Sequence, residues 1–142
     1  MSQNKKMVEA ITPIAAEHGF AYIGGHPMAG KEKGGFDNAD AALMLRQLSG
    51  RTHEVFTGVC LALPAPGMEN AFVSRAQVTF APLGEDEILS YVASGEPADK
   101  AGAYGIQGLG ARFIERINGD YYTVMGLPVC GLYHLMREQG LL

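Results

Sequence analysis

The run Val55-Phe-Thr-Gly-Val-Cys-Leu-Ala-Leu63 constrains the chain more than any other stretch, because it is almost continuously apolar, rich in β-branched residues and closed by Pro64-Ala-Pro-Gly67. Nine such residues read as a strand covered on both faces, and a strand of that kind is internal, with a hydrogen-bonded neighbour on each side. The chain must therefore build a sheet around it. Phe72 to Phe80 supplies one neighbour: Phe72, Ala76, Val78 and Phe80 alternate with Arg75, Gln77 and Thr79, so one face of this second strand is polar. Helices are spelled on both sides of the pair. Asp37 opens one through Leu48, with Ala41, Met44, Leu45 and Leu48 at helical spacing and Ser49-Gly50 as the stop. Gly84-Glu-Asp-Glu opens another, with acids in its first turn and Ile88, Tyr91 and Val92 as its buried stripe before Gly95. A last helix starts at Pro128 and buries Val129, Leu132, Tyr133 and Met136 until Gly140. Between these, Ala111 to Ile117 and Tyr121 to Met125 flank Asn118-Gly119, which predicts a β-hairpin. The fold class that follows is α/β, a mixed sheet flanked by helices.

The amino-terminal part differs in texture. Met7, Val8, Ile11, Ile14 and Ala15 form a helical stripe from Asn4 to His18, interrupted near Pro13, and Phe20 to Gly24 reads as a short strand followed by a glycine- and proline-punctuated loop. The polar, glycine-rich stretch Gly30 to Gly35 marks a join, so the organisation is a segment 1–36 followed by a main body 37–142. A lone apolar strand needs a sheet to satisfy its backbone groups, so the 20–24 strand is expected to join the sheet of the main body and make one domain.

Charge and cysteine usage narrow the function classes. Fifteen Asp and Glu against 11 Lys and Arg give a net charge of −4, which disfavours a nucleic-acid partner. No run approaches a membrane span, and Met1-Ser-Gln-Asn-Lys-Lys leads into Glu9 and Thr12 without a signal-like apolar stretch. A cytoplasmic protein with no membrane partner is expected. Cys60 and Cys130 stand alone in apolar contexts and read as buried thiols in a reducing compartment.

Chemistry-bearing residues concentrate in Ser94-Gly-Glu-Pro-Ala-Asp-Lys-Ala-Gly-Ala-Tyr-Gly-Ile-Gln-Gly-Leu-Gly110. Lys100 can meet a phosphate as a point charge, the Gln107 amide offers donor and acceptor to a base edge, and the glycines would let a ligand approach the backbone. On composition alone, a glycine-rich connector with solvated charges explains the stretch as well. Arg51 and His53 in Ser49-Gly-Arg-Thr-His could contact anionic groups, although local turn hydrogen bonding accounts for Ser49 and Thr52 equally. His26 directly follows a strand, a common position for a catalytic imidazole and also for an exposed bystander.

Leu48-Ser-Gly-Arg-Thr-His-Glu-Val-Phe-Thr-Gly-Val, Glu96-Pro-Ala-Asp-Lys-Ala-Gly-Ala-Tyr-Gly-Ile-Gln-Gly and Gly119-Asp-Tyr-Tyr-Thr-Val-Met-Gly-Leu-Pro, in this order and spacing, resemble the carboxy-terminal half of the Maf-type nucleoside triphosphate pyrophosphatases over about residues 37–142. The resemblance implies cleavage of a dTTP- or UTP-type triphosphate to monophosphate and pyrophosphate, with Mg or Mn as cofactor and no NAD. It allows a homodimer. It also implies substrate-binding roles for Lys100, Gln107, Arg51, Thr52 and Asp99. A full family member carries a serine-arginine-arginine phosphate loop and an alanine-aspartate-threonine motif whose aspartate is the catalytic base; neither motif occurs in this sequence. Lys31 in Gly-Lys-Glu is similar to the family's glycine-lysine-proline but lacks the proline. The expectation is an impaired pyrophosphatase with no assigned catalytic residue, and the alternative is a nucleotide-binding remnant without chemistry. Ile23-Gly-Gly-His-Pro-Met-Ala-Gly-Lys-Glu-Lys-Gly-Gly-Phe36 resembles prephenate dehydrogenases around a substrate-site histidine, which His26 would match, over about residues 3–40. No dinucleotide fingerprint accompanies it. The sequence thus reads as a chimera, and a prephenate dehydrogenase fragment fused to an unrelated piece is the third reading.

Overall fold

Strand β2, Thr52–Ala62, occupies the apolar run and is hydrogen-bonded on both sides. The structure is a computed structural model that describes residues 22–28, 38–62 and 69–142. On one side of β2 lies β1, Tyr22–Met28, antiparallel from Tyr22 opposite Ala62 to Met28 opposite Phe56. On the other lies β3, Glu69–Phe80, antiparallel from Thr52 opposite Thr79 to Ala62 opposite Glu69. Strand β4, Ile114–Asn118, continues the sheet beyond β3, with an irregularity in register between Thr79 and Phe80. The order is β1-β2-β3-β4, and every described ladder is antiparallel. Helices α1 (Asn38–Leu48), α2 (Glu85–Ala93), α3 (Tyr121–Met125) and α4 (Val129–Glu138) complete the α/β fold, with three 3₁₀ turns at Glu96–Asp99, Ala101–Ala103 and Gly108–Phe113. No helix among the described residues is long and apolar enough to cross a membrane.

The core lies on one face of the sheet. Val55, Val78 and Phe80 pack with Ala41, Ala42 and Leu45 of α1, with Ile88, Tyr91 and Val92 of α2, and with Ala103, Tyr104 and Phe113 from the turns. Burial of each large side chain in such a cluster contributes roughly 1.5–3 kcal/mol before the cost of ordering it. Farther along the same face, Thr57 donates to the Thr123 carbonyl at 2.7 Å and Ser74 Oγ lies 2.7 Å from Thr123 Oγ1, so α3 docks through hydroxyls.

Several expectations are corrected. Strand β2 is internal, but among the described residues its second face is open along Thr52, Glu54 and Phe56, the last of them 36% exposed. The even-numbered residues of β2 face a polar surface on which Glu54 pairs with Arg75, Thr52 Oγ1 lies 2.8 Å from Thr79 Oγ1 and Asn118 donates to Gln77 at 3.2 Å. An apolar run cannot by itself distinguish two covered faces from one. The hairpin at Asn118-Gly119 does not form. Gly108–Phe113 is a 3₁₀ turn, and the chain leaves β4 into helix α3 because the Asp120 carboxylate accepts from the Tyr122 N–H at 3.0 Å and caps it. Gly126, with φ of 105°, ends that helix ahead of Pro128, so Asp120 and Gly126 were its start and stop signals.

Helix α4 buries Leu132, while Val129 is 46% and Tyr133 is 47% exposed. It approaches the sheet through Gly131, where a Cβ would lie 2.8 Å from the Phe72 ring, and Val129 and Tyr133 of the predicted stripe stay outside. Cys130 is exposed and Cys60 half-buried, against the expectation of two buried thiols. The loop predicted after Gly24 is instead strand through Met28, and Pro27 is accommodated because β1 is the edge strand of the described sheet. The predicted helix from Asn4 to His18 and the join at Gly30 to Gly35 lie outside the described residues.

Candidate functional site

Helix α2 ends at Ser94, and Gly95 turns the chain with φ of 77° into the glycine-rich segment. Glu96 then folds its carboxylate inward. Its Oε1 accepts from the Tyr91 hydroxyl at 2.9 Å and from the Gly110 N–H at 3.0 Å, and its Oε2 accepts from the Leu109 N–H at 2.9 Å. The Tyr91 oxygen in turn accepts from the Gly105 N–H at 3.2 Å. These bonds favour the charged carboxylate, and the N–H groups of Leu109 and Gly110 hold Glu96 below the ordinary glutamate range. Burial pushes the Tyr91 phenol up to about 12.

The glycines answer to this knot. A Cβ on Gly108 would lie 2.7 Å from Glu96 Oε2, and one on Gly110 would lie 2.5 Å from the Gly105 carbonyl oxygen and 2.7 Å from the Tyr91 hydroxyl. At 108 and 110 the space that a Cβ would take is filled by the chain's own carboxylate and phenol. Sequence reasoning named Glu96 among the polar residues of the segment but missed its central place. The available signal was one acid at the start of a run of glycines, with a tyrosine five residues before it on a buried helix face.

Lys100 lies against Gly105, two residues before Gln107. A Cβ there would lie 3.4 Å from Lys100 Cε and 3.1 Å from the Gln107 carbonyl oxygen. Lys100 is half-buried and its charge also favours ionised Glu96. Gln107 is exposed and extended, immediately before the 3₁₀ turn Gly108–Phe113. Between them Gly102 and Ala103 have φ of 74° and 63°, and Ala103 is fully buried. A non-glycine residue in the left-handed region costs roughly 1–2 kcal/mol and persists only where packing imposes it. Asp99 closes the first 3₁₀ turn, and its side chain lies outside the description.

The Arg51-Thr52-His53 turn divides between surfaces. Arg51 is exposed, and its backbone links the end of α1 to β3, accepting from the Phe80 N–H at 2.9 Å. Thr52 faces the open side of the sheet with Thr79. His53 faces the core, where its Nε2 lies 2.8 Å from the Tyr104 hydroxyl and its ring meets Phe80 and Tyr104 edge-on, each at 5.5 Å. Burial lowers the His53 pKa, so the neutral ring anchors Tyr104, the residue before Gly105, and the expected anion contact at His53 is corrected. Its Nδ1 is buried without a partner. Burial also pushes the Tyr104 phenol up. His26 stands in β1 opposite Gly58, with its side chain outside the description, and Lys31 lies outside the described residues.

Among the described residues no group of three His, Cys, Asp or Glu side chains could hold an ion; Glu96 is engaged at both oxygens and Glu54 is paired with Arg75. Divalent metal is therefore a reaction condition to be tested, with no step assigned to it.

Comparison with known proteins places this geometry in a family context. The family described as Maf-like protein matches residues 32–139. The chain is 51% identical over 106 residues to the dTTP/UTP pyrophosphatase of Koribacter versatilis, covering 75% of this chain and 54% of that protein. It is 49% identical over 120 residues to the dTTP/UTP pyrophosphatase of Aquifex aeolicus, covering 83% and 60%, and 53% identical over 104 residues to that of Carboxydothermus hydrogenoformans, covering 73% and 56%. The chain thus spans little more than half the length of these curated relatives.

Proposed function

The chain belongs to the Maf-like protein family, and from that premise we propose that it binds a dTTP- or UTP-type nucleoside triphosphate and releases pyrophosphate from it slowly. The observation that carries this reading is the Lys100 side chain against Gly105, two residues before the exposed Gln107 and close in sequence to the left-handed Ala103. Lys100 meets the phosphates, and the exposed Gln107 amide presents a donor and an acceptor to the edge of a uracil or thymine ring. In this reading the exposed Arg51 adds positive charge for the phosphates and Asp99 holds a lesser place, whereas Thr52 faces the open side of the sheet and is left without a role. General-base catalysis needs a positioned carboxylate, and hydrogen bonds commit Glu96 elsewhere. The sequence also lacks the serine-arginine-arginine and alanine-aspartate-threonine motifs of the resemblance, which supports slow turnover by these 142 residues.

The test measures pyrophosphate release from dTTP, UTP, ATP and GTP with magnesium or manganese, beside binding of a non-hydrolysable UTP analogue. Slow release confined to dTTP and UTP is expected. Lys100→Ala and Gln107→Ala should each weaken analogue binding by about 10-fold or more, the scale of a lost charge-assisted or well-oriented hydrogen bond. Robust turnover that survives both substitutions would show that the site lies elsewhere.

A further inference from the structure

Gln107 can discriminate between bases only if its backbone is held still, and the 105–110 segment has neither an α-helix nor a strand to hold it. The side-chain bonds that hold it come from Glu96 and Tyr91. Glu96 accepts the N–H groups of Leu109 and Gly110, two and three residues after Gln107. Through Tyr91, whose hydroxyl donates to Glu96 and accepts from Gly105 N–H, the same knot reaches two residues before it. Gln107 therefore sits at the middle of a loop tied at both ends to a single carboxylate–phenol pair. That pair is itself anchored, since the Tyr91 ring is fully buried and packs edge-on to Phe113 with centroids 5.1 Å apart. Glycine at 108 and 110 is what lets the carboxylate and phenol come this close.

We infer that Glu96 is a positioning residue for nucleobase selectivity: with Tyr91 it fixes the 105–110 loop so that the Gln107 amide meets the base in one orientation. The inference deepens the nucleotide reading given above and rests on it. Glu96 touches no substrate atom; it acts through the loop backbone. Charge on the carboxylate roughly doubles the strength of the two N–H bonds over neutral ones, so a carboxamide at 96 restores only part of the hold.

The experiment uses the full 142-residue chain and its Glu96→Ala, Glu96→Gln and Tyr91→Phe variants, with two readouts. Amide hydrogen exchange at Leu109 and Gly110 reports the clamp without any nucleotide. Affinities for non-hydrolysable UTP and ATP analogues report selectivity as a ratio. Glu96→Ala should speed exchange at both amides at least 10-fold and reduce the UTP-over-ATP ratio at least 10-fold. Glu96→Gln should recover part of both, and Tyr91→Phe, which keeps the buried ring, should shift both by a smaller factor. A merely structural role would lower the melting temperature and leave the ratio unchanged. Unchanged exchange at Leu109 and Gly110 in Glu96→Ala would overturn the clamp, and accelerated exchange with an unchanged ratio would overturn the positioning role alone. A wild-type chain that binds neither analogue would overturn the nucleotide reading and this inference with it.

Discussion

The 96–110 segment and the open face of the sheet both carry glutamates and glycines, yet they use them in opposite ways. In the segment, Glu96 is satisfied by two backbone N–H groups and a phenol, and a Cβ on Gly108 or Gly110 would fall within 3 Å of another atom. On the open face, Glu54 pairs with the exposed Arg75, and Gly58 has nothing within 4 Å of where a Cβ would stand. The first arrangement substitutes for secondary structure; the second decorates a ladder that stands without it. Residue type alone therefore says little about cost, and what the missing Cβ or the carboxylate would meet says most.

The largest expected break is Gly110→Ala. The new methyl would press on the Gly105 carbonyl and the Tyr91 hydroxyl, at 2.5 and 2.7 Å from its ideal position, and would pull the Gly110 N–H off Glu96. Overpacking together with a lost charge-assisted bond predicts a destabilisation of about 3 kcal/mol, read as a lower urea midpoint with an unchanged slope. A loss under about 1 kcal/mol would mean that the segment yields easily, and the contrast with the sheet would collapse.

Acid should separate the two regions next. Glu96 is held below the ordinary glutamate value by its N–H partners, so its contribution is complete above that ordinary value and is lost as pH falls through the lower folded one. Urea midpoints measured downward from about pH 5, around the unperturbed glutamate value of about 4.3, should therefore fall more steeply for the wild type than for Glu96→Gln. Parallel curves would show that the carboxylate charge contributes nothing to the knot.

The sequence was legible where one periodicity ran for nine or more residues. Helix α1, strands β2 and β3, and helices α2 and α4 lie within a few residues of their predicted spans, because helical and alternating spacing register burial directly. It was less legible where a short segment obeyed a local cap. Tyr121–Met125, placed just after Asn118-Gly119, passes for the second strand of a hairpin, and the Asp120 carboxylate on the Tyr122 N–H decides for helix. In the site, Lys100 and Gln107 could be named from residue type and resemblance. The knot around Glu96 could not, since it depends on a tertiary return of the chain from Gly105 to Gly110 that no spacing encodes.

Asp120→Ala tests that local decision. It removes the cap on the Tyr122 N–H and the longer contact at 3.3 Å with the Thr123 hydroxyl. A cost of about 1 kcal/mol is expected. Amide exchange should quicken across 121–125 while Leu109 and Gly110 stay protected, since the two regions share no hydrogen bond. Faster exchange at 109 and 110 would show that α3 and the glycine segment are coupled.

The smallest effect, and the one of opposite sign, is expected at Gly58→Ala. Gly58 lies inside β2, paired on both ladders opposite His26 and Val73, and is not among the positive-φ glycines. Glycine in a strand interior costs roughly 0.5–1 kcal/mol relative to alanine, because the unfolded chain has more freedom to lose. With open space at the Cβ position nothing offsets that gain, so the substitution should stabilise by about 0.5 kcal/mol and raise the melting temperature by roughly 1–3 °C. The same glycine-to-alanine change would then destabilise at 110 and stabilise at 58, in one chain and under one set of conditions. A loss of stability at 58 instead would mean that the ladder needs the glycine for its backbone, and that the contrast between the two regions is one of degree.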